Sequence, residues 1–122
     1  MKTIHTRTRG DQAELRVAQH LECEGFTVIA RNYHCRNGEI DIIARRDEVI
    51  AFVEVKMRVS AMPDFGELVN VTKQKKIITA ARRYIAQSTH EDVTYRFDVA
   101  CVIGDHDSAR LIYIPDAFNS DE

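Results

Sequence analysis

Residues 38–56 read GEIDIIARRDEVIAFVEVK and predict two β-strands joined by a polar turn at residues 45–48. This connection makes an antiparallel hairpin, in which acids of the first strand can lie opposite acids of the second. Alternation of side chains predicts the two faces of the first strand, namely Glu39, Asp41 and Ile43 on one and Ile40, Ile42 and Ala44 on the other. The hairpin therefore allows an acidic cluster within a mainly apolar sheet.

The second strand of the hairpin, residues 49–59, has two different faces. One face is apolar throughout and consists of Val49, Ala51, Val53, Val55, Met57 and Val59. The other face begins with Ile50 and Phe52 and ends with Glu54, Lys56 and Arg58. A strand with one side in water would be polar along that whole side. We therefore expect the sheet to be covered where this strand starts and open where it ends.

Two helices are predicted on either side of these strands in the chain. Residues 11–24 lack glycine and proline and have helical periodicity, with an apolar stripe at Val17, Ala18 and Leu21 and an end at Gly25. Residues 72–87 form the second helix, with Thr72 as its N-cap. Its spacing predicts a buried stripe made of Ile77, Ile78, Ala81, Tyr84 and Ile85.

The remaining segments complete the predicted order of elements. Residues 26–33, 94–104 and 110–114 are predicted strands, and a loop with Pro63 and Gly66 precedes the second helix. The order is thus helix, three strands, helix and two strands. We expect the first three strands to form an antiparallel meander and a helical crossover to lead to the fourth. This is an α/β fold with a mixed sheet and flanking helices.

Size and composition indicate one packed domain. Of the 122 residues, 44% are hydrophobic and 30% are charged, and we expect a single domain over residues 1–122, with its core at about 10–115 and flexible termini. The first ten residues lack the apolar segment of a signal peptide, and no apolar run approaches the ~20 residues of a membrane span. We expect a cytoplasmic protein that does not enter a membrane.

Cysteine and histidine show no metal-site pattern. The three cysteines, Cys23, Cys35 and Cys101, are widely spaced and are interpreted as small, mostly buried thiols. The five histidines are scattered and lack the spacing of zinc ligands. A zinc site is therefore not expected.

The charged end of the hairpin has the composition of a divalent-cation site. Asp41 and Glu54 supply the hard carboxylate oxygens that Mg²⁺ or Mn²⁺ prefers, and Lys56 can neutralise negative charge on a phosphate. Glu14 adds a third acid, because it lies on the inward stripe of the first helix. Two other interpretations stay open: Glu14 reaches solvent at the edge of that stripe, and Asp41, Glu54 and Lys56 form a structural ion-pair cluster.

Taken together, these motifs resemble a known family. The resemblance covers roughly residues 10–103 and is carried by Glu14, Arg31-Asn32, Gly38-Glu39-Ile40-Asp41, Phe52-Val53-Glu54-Val55-Lys56, Arg58, Lys73 and Arg96-Phe97-Asp98-Val99. This set is similar to the YraN family of small bacterial proteins, within the restriction-endonuclease-like superfamily, whose nuclease motif is written PD…(D/E)xK. Ile40 stands where the written motif has proline. The family is related in pattern to archaeal Holliday-junction resolvases.

The resemblance implies a restriction-endonuclease-like αβββαβ core and a metal-dependent nuclease. Asp41 and Glu54 would bind Mg²⁺ or Mn²⁺. Lys56 would be the catalytic lysine, and Glu14 would be an auxiliary acid near the metal. The implied substrate is nucleic acid, with DNA preferred over RNA and branched or otherwise structured DNA as the target. By the same analogy, a homodimer is expected.

A basic segment supports a nucleic-acid partner even though the net charge of the chain is −2. Residues 73–83, KQKKIITAARR, hold five cations and no acid, and taken alone this segment is more readily interpreted as a solvated helix surface. The candidate phosphate contacts are Arg58, Lys73, Lys75, Lys76, Arg82 and Arg83, with Arg7 and Arg9 near the N-terminus. Asp98 is either a further site residue or a surface strand acid paired with Arg96, and the second interpretation is favoured. The alternative function is a non-catalytic module on the same fold that binds nucleic acid or a partner protein.

Overall fold

A five-stranded mixed sheet forms the centre of the fold, and helices pack on both of its faces. The computed structural model describes residues 9–61, 64–104 and 108–120. In chain order the elements are α1 Arg9–Cys23, β1 Thr27–Cys35, β2 Gly38–Arg46, β3 Val49–Arg58, α2 Phe65–Leu68, α3 Val71–Gln87, β4 Thr94–Ile103 and β5 Arg110–Phe118. The strand order is β1-β2-β3-β4-β5, and only β3 and β4 are parallel. The predicted meander and the helical crossover are both confirmed.

The central strand β3 is covered by a different helix on each face. Its apolar face packs against Leu21 of α1, whereas the face with Phe52 packs against Ile77 of α3. Residues 50–54 are buried, and residues 55–58 are partly exposed. The sheet is therefore covered at the start of β3 and more open at its end, as the change from apolar to charged side chains predicts.

Close packing of α3 on the start of β2 depends on a glycine. A Cβ atom on Gly38 would lie 2.5 Å from the backbone oxygen of Lys76 and 2.9 Å from the backbone nitrogen of Ala80. No side chain fits at this position without moving the helix, because real Cβ atoms do not approach backbone atoms so closely. Gly38 therefore fixes the height at which the first turns of α3 lie above the sheet.

The strict alternation predicted for β2 is wrong at one point. Ile40 and Ile43 both belong to the core under α3, whereas Ile42 and Ala44 belong to the core under α1. Pairing between β2 and β3 runs from Arg46 back to Ile42 and stops there. The break in the period of two therefore lies between Ile40 and Ile42, where the ladder with β3 ends, although residues 38–40 remain paired with β1.

The N-terminus and the buried stripe of α3 also differ from the prediction. The N-cap is Asn70 and not Thr72, because the Asn70 side chain accepts a hydrogen bond of 2.8 Å from the backbone N–H of Lys73. Ala80 is fully buried where the helix meets Gly38, whereas Ile85, which was predicted to be buried, is 38% exposed.

Three local predictions outside α3 are also corrected. Gly66, predicted to lie in a loop, is part of the short helix α2. Cys23 is exposed at the end of α1, Cys35 is half-buried, and Cys101 is buried, so the thiols are not mostly buried; all three are free. β5 continues to Phe118, beyond the predicted end at residue 114.

Within the described ranges, no helix combines the length and apolar character needed to cross a bilayer.

Asp98 is paired with Arg96 as predicted, but it is not a surface residue. Its side chain has no exposed area. Arg96 donates two hydrogen bonds of 2.9 Å to it, and the Tyr113 hydroxyl and the backbone N–H of Asp116 donate further bonds. A buried carboxylate needs such partners, and here they come from β4 and from an irregular part of β5. Asp98 thus fastens the edge strand to the sheet.

Candidate active site

The site lies where β2 and β3 separate. The ladder between these strands ends with Ile42 opposite Val53, and one further step would place Asp41 opposite Glu54. Instead, the Asp41 carboxylate accepts a hydrogen bond of 2.8 Å from the backbone N–H of Val55. A side chain thus takes the place of a backbone acceptor, and both acids stay at the opening between the strands.

A pocket occupies this opening, and three elements line it. Helix α1 contributes Gly10, Ala13 and Glu14, strand β2 contributes Asp41, and strand β3 contributes residues 54–58. Glu14, Asp41, Glu54 and Lys56, which the sequence assigns to one site, all line this pocket. Arg58 lines it as well, and its guanidinium donates a hydrogen bond of 2.6 Å to the Met57 carbonyl.

Glu54 is the most deeply buried acid of the pocket, with 3% of its surface exposed. Its Oε2 atom lies 3.1 Å from Nζ of Lys56 and 3.6 Å from Nζ of Lys73. Its Oε1 atom has no hydrogen-bond partner among the described residues. An unpaired buried acceptor costs ~1–3 kcal/mol, and more when it is charged. The free oxygen therefore needs a donor or a cation, and either a proton on Asp41, which is within hydrogen-bonding reach of the Glu54 carboxylate, or a bound metal ion can supply one.

Asp41 and Glu54 lie close together, so ionisation of both carboxyl groups at once is unfavourable. Burial, reinforced by the negative charge of Glu54, raises the pKa of Asp41 from 3.8 to about 7, although the hydrogen bond from Val55 acts in the other direction. Burial and the charge of Asp41 also raise the pKa of Glu14. Arg31 lies 3.4 Å from Oε1 of Glu14 and opposes that rise. The carboxylates therefore need a proton or a cation.

Lys73 reaches this acidic site from α3. Its Nζ atom lies 2.9 Å from Oε2 of Glu39, and this hydrogen bond lowers the pKa of Glu39. Burial lowers the pKa of Lys73, but its hydrogen bond to Glu39 and the charges of Glu54, Glu39 and Asp41 together raise it. The ammonium group is therefore held in its charged form between the two strands and the helix.

The donor set fits a divalent metal ion that keeps several waters. Among residues 9–61, 64–104 and 108–120, no group of three or more His, Cys, Asp or Glu side chains is placed to hold a metal ion by itself. Mg²⁺ needs fewer protein ligands, because it binds through one or two carboxylates together with waters and substrate oxygens. Asp41 and the free Oε1 of Glu54 supply such a pair.

The other predicted phosphate contacts are not brought together with the acids. Lys75, Lys76, Arg82 and Arg83 lie on the exposed face of α3, which we call the basic face. Arg7 and the side chain of Arg9 lie outside the described residues. Of the cations of the predicted basic segment, only Lys73 contacts an acid of the site in the described part of the chain.

Sequence patterns alone did not identify two residues around the site. Arg31 contacts Glu14 across 17 positions of sequence, and Glu39 holds Lys73 across 34. No helical or strand period connects such distant residues. Arg31 and Glu39 both belong to the set of residues that resembles the YraN family, but that resemblance predicts no contact for either of them.

Comparisons with known proteins agree with this architecture. A family model described as "Uncharacterised protein family UPF0102" matches residues 13–102. A UPF0102 protein of Myxococcus xanthus is 37% identical over 115 residues, covering 93% of this chain and 91% of that protein. A UPF0102 protein of Saccharophagus degradans is 38% identical over 122 residues, covering 97% and 98% respectively.

A solved structure has the same fold. It is Hjc of Archaeoglobus fulgidus, a Holliday junction resolvase from an archaeal hyperthermophile, with a TM-score of 0.53 and 18% sequence identity. The match covers 85% of this chain and 74% of Hjc. The predicted restriction-endonuclease-like α/β core, akin to the archaeal resolvases, is thereby confirmed.

Proposed function

We propose, from the premise that this chain belongs to the UPF0102 family, that it is a metal-dependent nuclease that hydrolyses phosphodiester bonds in structured DNA. One observation carries this proposal. The buried carboxylate of Glu54 has an unpaired oxygen, and it lies next to a second acid in a pocket that also contains Lys56. A purely structural ion-pair cluster would be expected to satisfy that oxygen.

Each residue of the pocket has a role in this proposal. Asp41 and Glu54 would hold Mg²⁺ or Mn²⁺, which would supply Lewis-acid stabilisation of the phosphate oxygens and activation of water. Lys56, fixed by its contact with Glu54, neutralises the negative charge that develops on the phosphate in the transition state. Glu14 acts as an auxiliary acid, and Arg31 holds its carboxylate in place.

The substrate follows from charge and from the structural neighbour. The basic face belongs to the helix from which Lys73 reaches Glu54, and its exposed cations can bind a phosphate backbone, whereas the pocket itself is lined by α1, β2 and β3. The name of the neighbour, a Holliday junction resolvase, supports branched DNA over linear DNA or RNA. Cutting two strands of a symmetric junction requires two equivalent sites, which a homodimer would provide.

Cleavage of a labelled panel tests the proposal. The panel contains duplex, single-stranded, flapped and four-way-junction DNA with the matching RNAs, and it is incubated with Mn²⁺. We expect the parent protein to cut junction DNA and Glu54→Gln to lose at least ~100-fold in rate. Glu48→Gln, which removes the same charge from the exposed turn of the same hairpin, is the matched control.

Two results would contradict the proposal. Equal cleavage by the parent and by Glu54→Gln would show that another site or a contaminant cuts the DNA. No cleavage by folded, Mn²⁺-bound parent would leave the non-catalytic binding module as the better function. In that case nucleic-acid binding should survive Asp41→Ala and weaken steeply with salt.

A further inference from the structure

Glu54 is approached by two ammonium groups that are held in different ways. Lys56 follows Glu54 by two residues, so both side chains extend from the same face of β3, and their charged atoms lie 3.1 Å apart. Lys73 belongs to α3, and its Nζ atom lies 3.6 Å from Oε2 of Glu54. Lys73 has a second and closer acid, Glu39, at 2.9 Å. Lys73 is therefore shared between two carboxylates, whereas Lys56 contacts one.

Contacts on both sides anchor the backbone of Lys73, so its side chain is the part that we expect to move. The Asn70 side chain accepts a hydrogen bond from the N–H of Lys73, which pins the first turn of α3. Gly38 holds the following turn against β2, because the backbone at Lys76 packs where a side chain at position 38 would be. A change of partner by Lys73 thus requires a change of side-chain rotamer and no movement of the helix.

We propose that Lys73 is a built-in counter-cation whose positive charge opposes binding of the divalent metal ion at Glu54. In the metal-free site it offsets the negative charge of Glu54. A metal ion held by Asp41 and Glu54 would repel the ammonium group of Lys73, for which Glu39 is already the closer partner. Lys73 therefore lowers the affinity of the site for metal. This inference rests on the proposed function, because it requires Glu54 to be a metal ligand.

Calorimetric titration of the full chain with Mn²⁺ alone, without nucleic acid, tests this role. We expect Lys73→Gln to bind Mn²⁺ about 3–10-fold more tightly than the parent, because the repulsion between ammonium and metal is removed. Lys73→Arg keeps the charge and should bind like the parent. Lys75→Gln removes an exposed cation from the same helix and should change the affinity less than about 2-fold.

The possible results separate this inference from the proposed function. Equal or weaker Mn²⁺ binding by Lys73→Gln, measured against a parent that binds, would overturn the role of Lys73 alone. Absence of binding by the parent and by every variant would overturn the metal-dependent function together with this role. Metal-free melting curves establish that each variant is folded, and Lys73→Met, which keeps the apolar stem, replaces Lys73→Gln if that variant does not fold.

Discussion

The replacement Asp41→Asn should stabilise the metal-free protein at alkaline pH. An asparagine oxygen can still accept the hydrogen bond from the N–H of Val55. Its amide nitrogen can donate to Glu54, whose carboxylate is within hydrogen-bonding reach of position 41 and has a free Oε1 atom. The substitution removes one of two opposed charges and gives the unpaired oxygen a donor.

The pKa of Asp41 sets the size and the pH dependence of this gain. Folding raises that pKa from 3.8 to about 7, and each pH unit corresponds to ~1.4 kcal/mol, so ionisation of Asp41 costs at most ~4 kcal/mol. Because the pocket is open to solvent on one side, we expect a gain of ~1–3 kcal/mol at pH 8, or about 3–10 °C in Tm. A raised pKa of an acid favours the folded state at low pH. The cost of Asp41 is therefore absent below pH 3.8, grows between 3.8 and 7, and is complete above 7.

Thermal and urea unfolding in EDTA at pH 8 and pH 5 measure the effect. The advantage of Asp41→Asn over the parent should fall to less than about half at pH 5. Asp64→Asn is the control, because Asp64 is exposed and its side chain does not cap α2. An Asp41→Asn variant no more stable than the parent at pH 8, or one with a pH-independent gain, would refute this account of the acid pair.

Two more outcomes follow from the packing and charge of α3. Gly38→Ala should lower the free energy of unfolding, measured by urea titration, by ~2–4 kcal/mol, because the new Cβ would meet the backbone of α3. Gly66→Ala is the control: its Cβ would meet no atom within 4 Å, so it should change the free energy of unfolding by less than ~0.5 kcal/mol. Similar losses in both variants would contradict the role of Gly38. Replacing Lys75 and Arg83 by glutamine should weaken DNA binding without changing Mn²⁺ affinity. In anisotropy titrations, the slope of log affinity against log salt concentration should fall by the equivalent of about two phosphate contacts. An unchanged slope would show that the basic face does not contact the DNA.

Local periodicity was enough to predict every element except α2 and to bring together the candidate residues that line the pocket. The alternation of β3 identified its apolar face and the charged end with Glu54 and Lys56, and the helical period of α1 placed Glu14 inward. The polar turn at residues 45–48 indicated the antiparallel hairpin that brings Asp41 near Glu54. These features depend on neighbours in sequence, which a pattern records directly.

Features that depend on contacts between distant segments were missed. Ala80 is buried because α3 packs closely on Gly38 at this point. Asp98 is buried because the irregular part of β5, which includes Asp116, packs against it. The break in the alternation of β2 arises where Asp41 takes over a backbone hydrogen bond from the neighbouring strand. In each case the cause lies in another element, so the periodicity of the segment itself cannot reveal it.

The first four residues of β2 each have a separate task in the folded protein. Gly38 allows α3 to pack closely on the strand, and Glu39 accepts a hydrogen bond from Lys73. Ile40 packs in the core under α3, and Asp41 lies next to Glu54. Inserting or deleting one residue within residues 38–41 would move these side chains relative to one another and turn some of them to the other face of the sheet. Length changes within this run should therefore be far less tolerated than point substitutions nearby, and libraries that vary the length of the preceding turn should leave residues 38–41 intact.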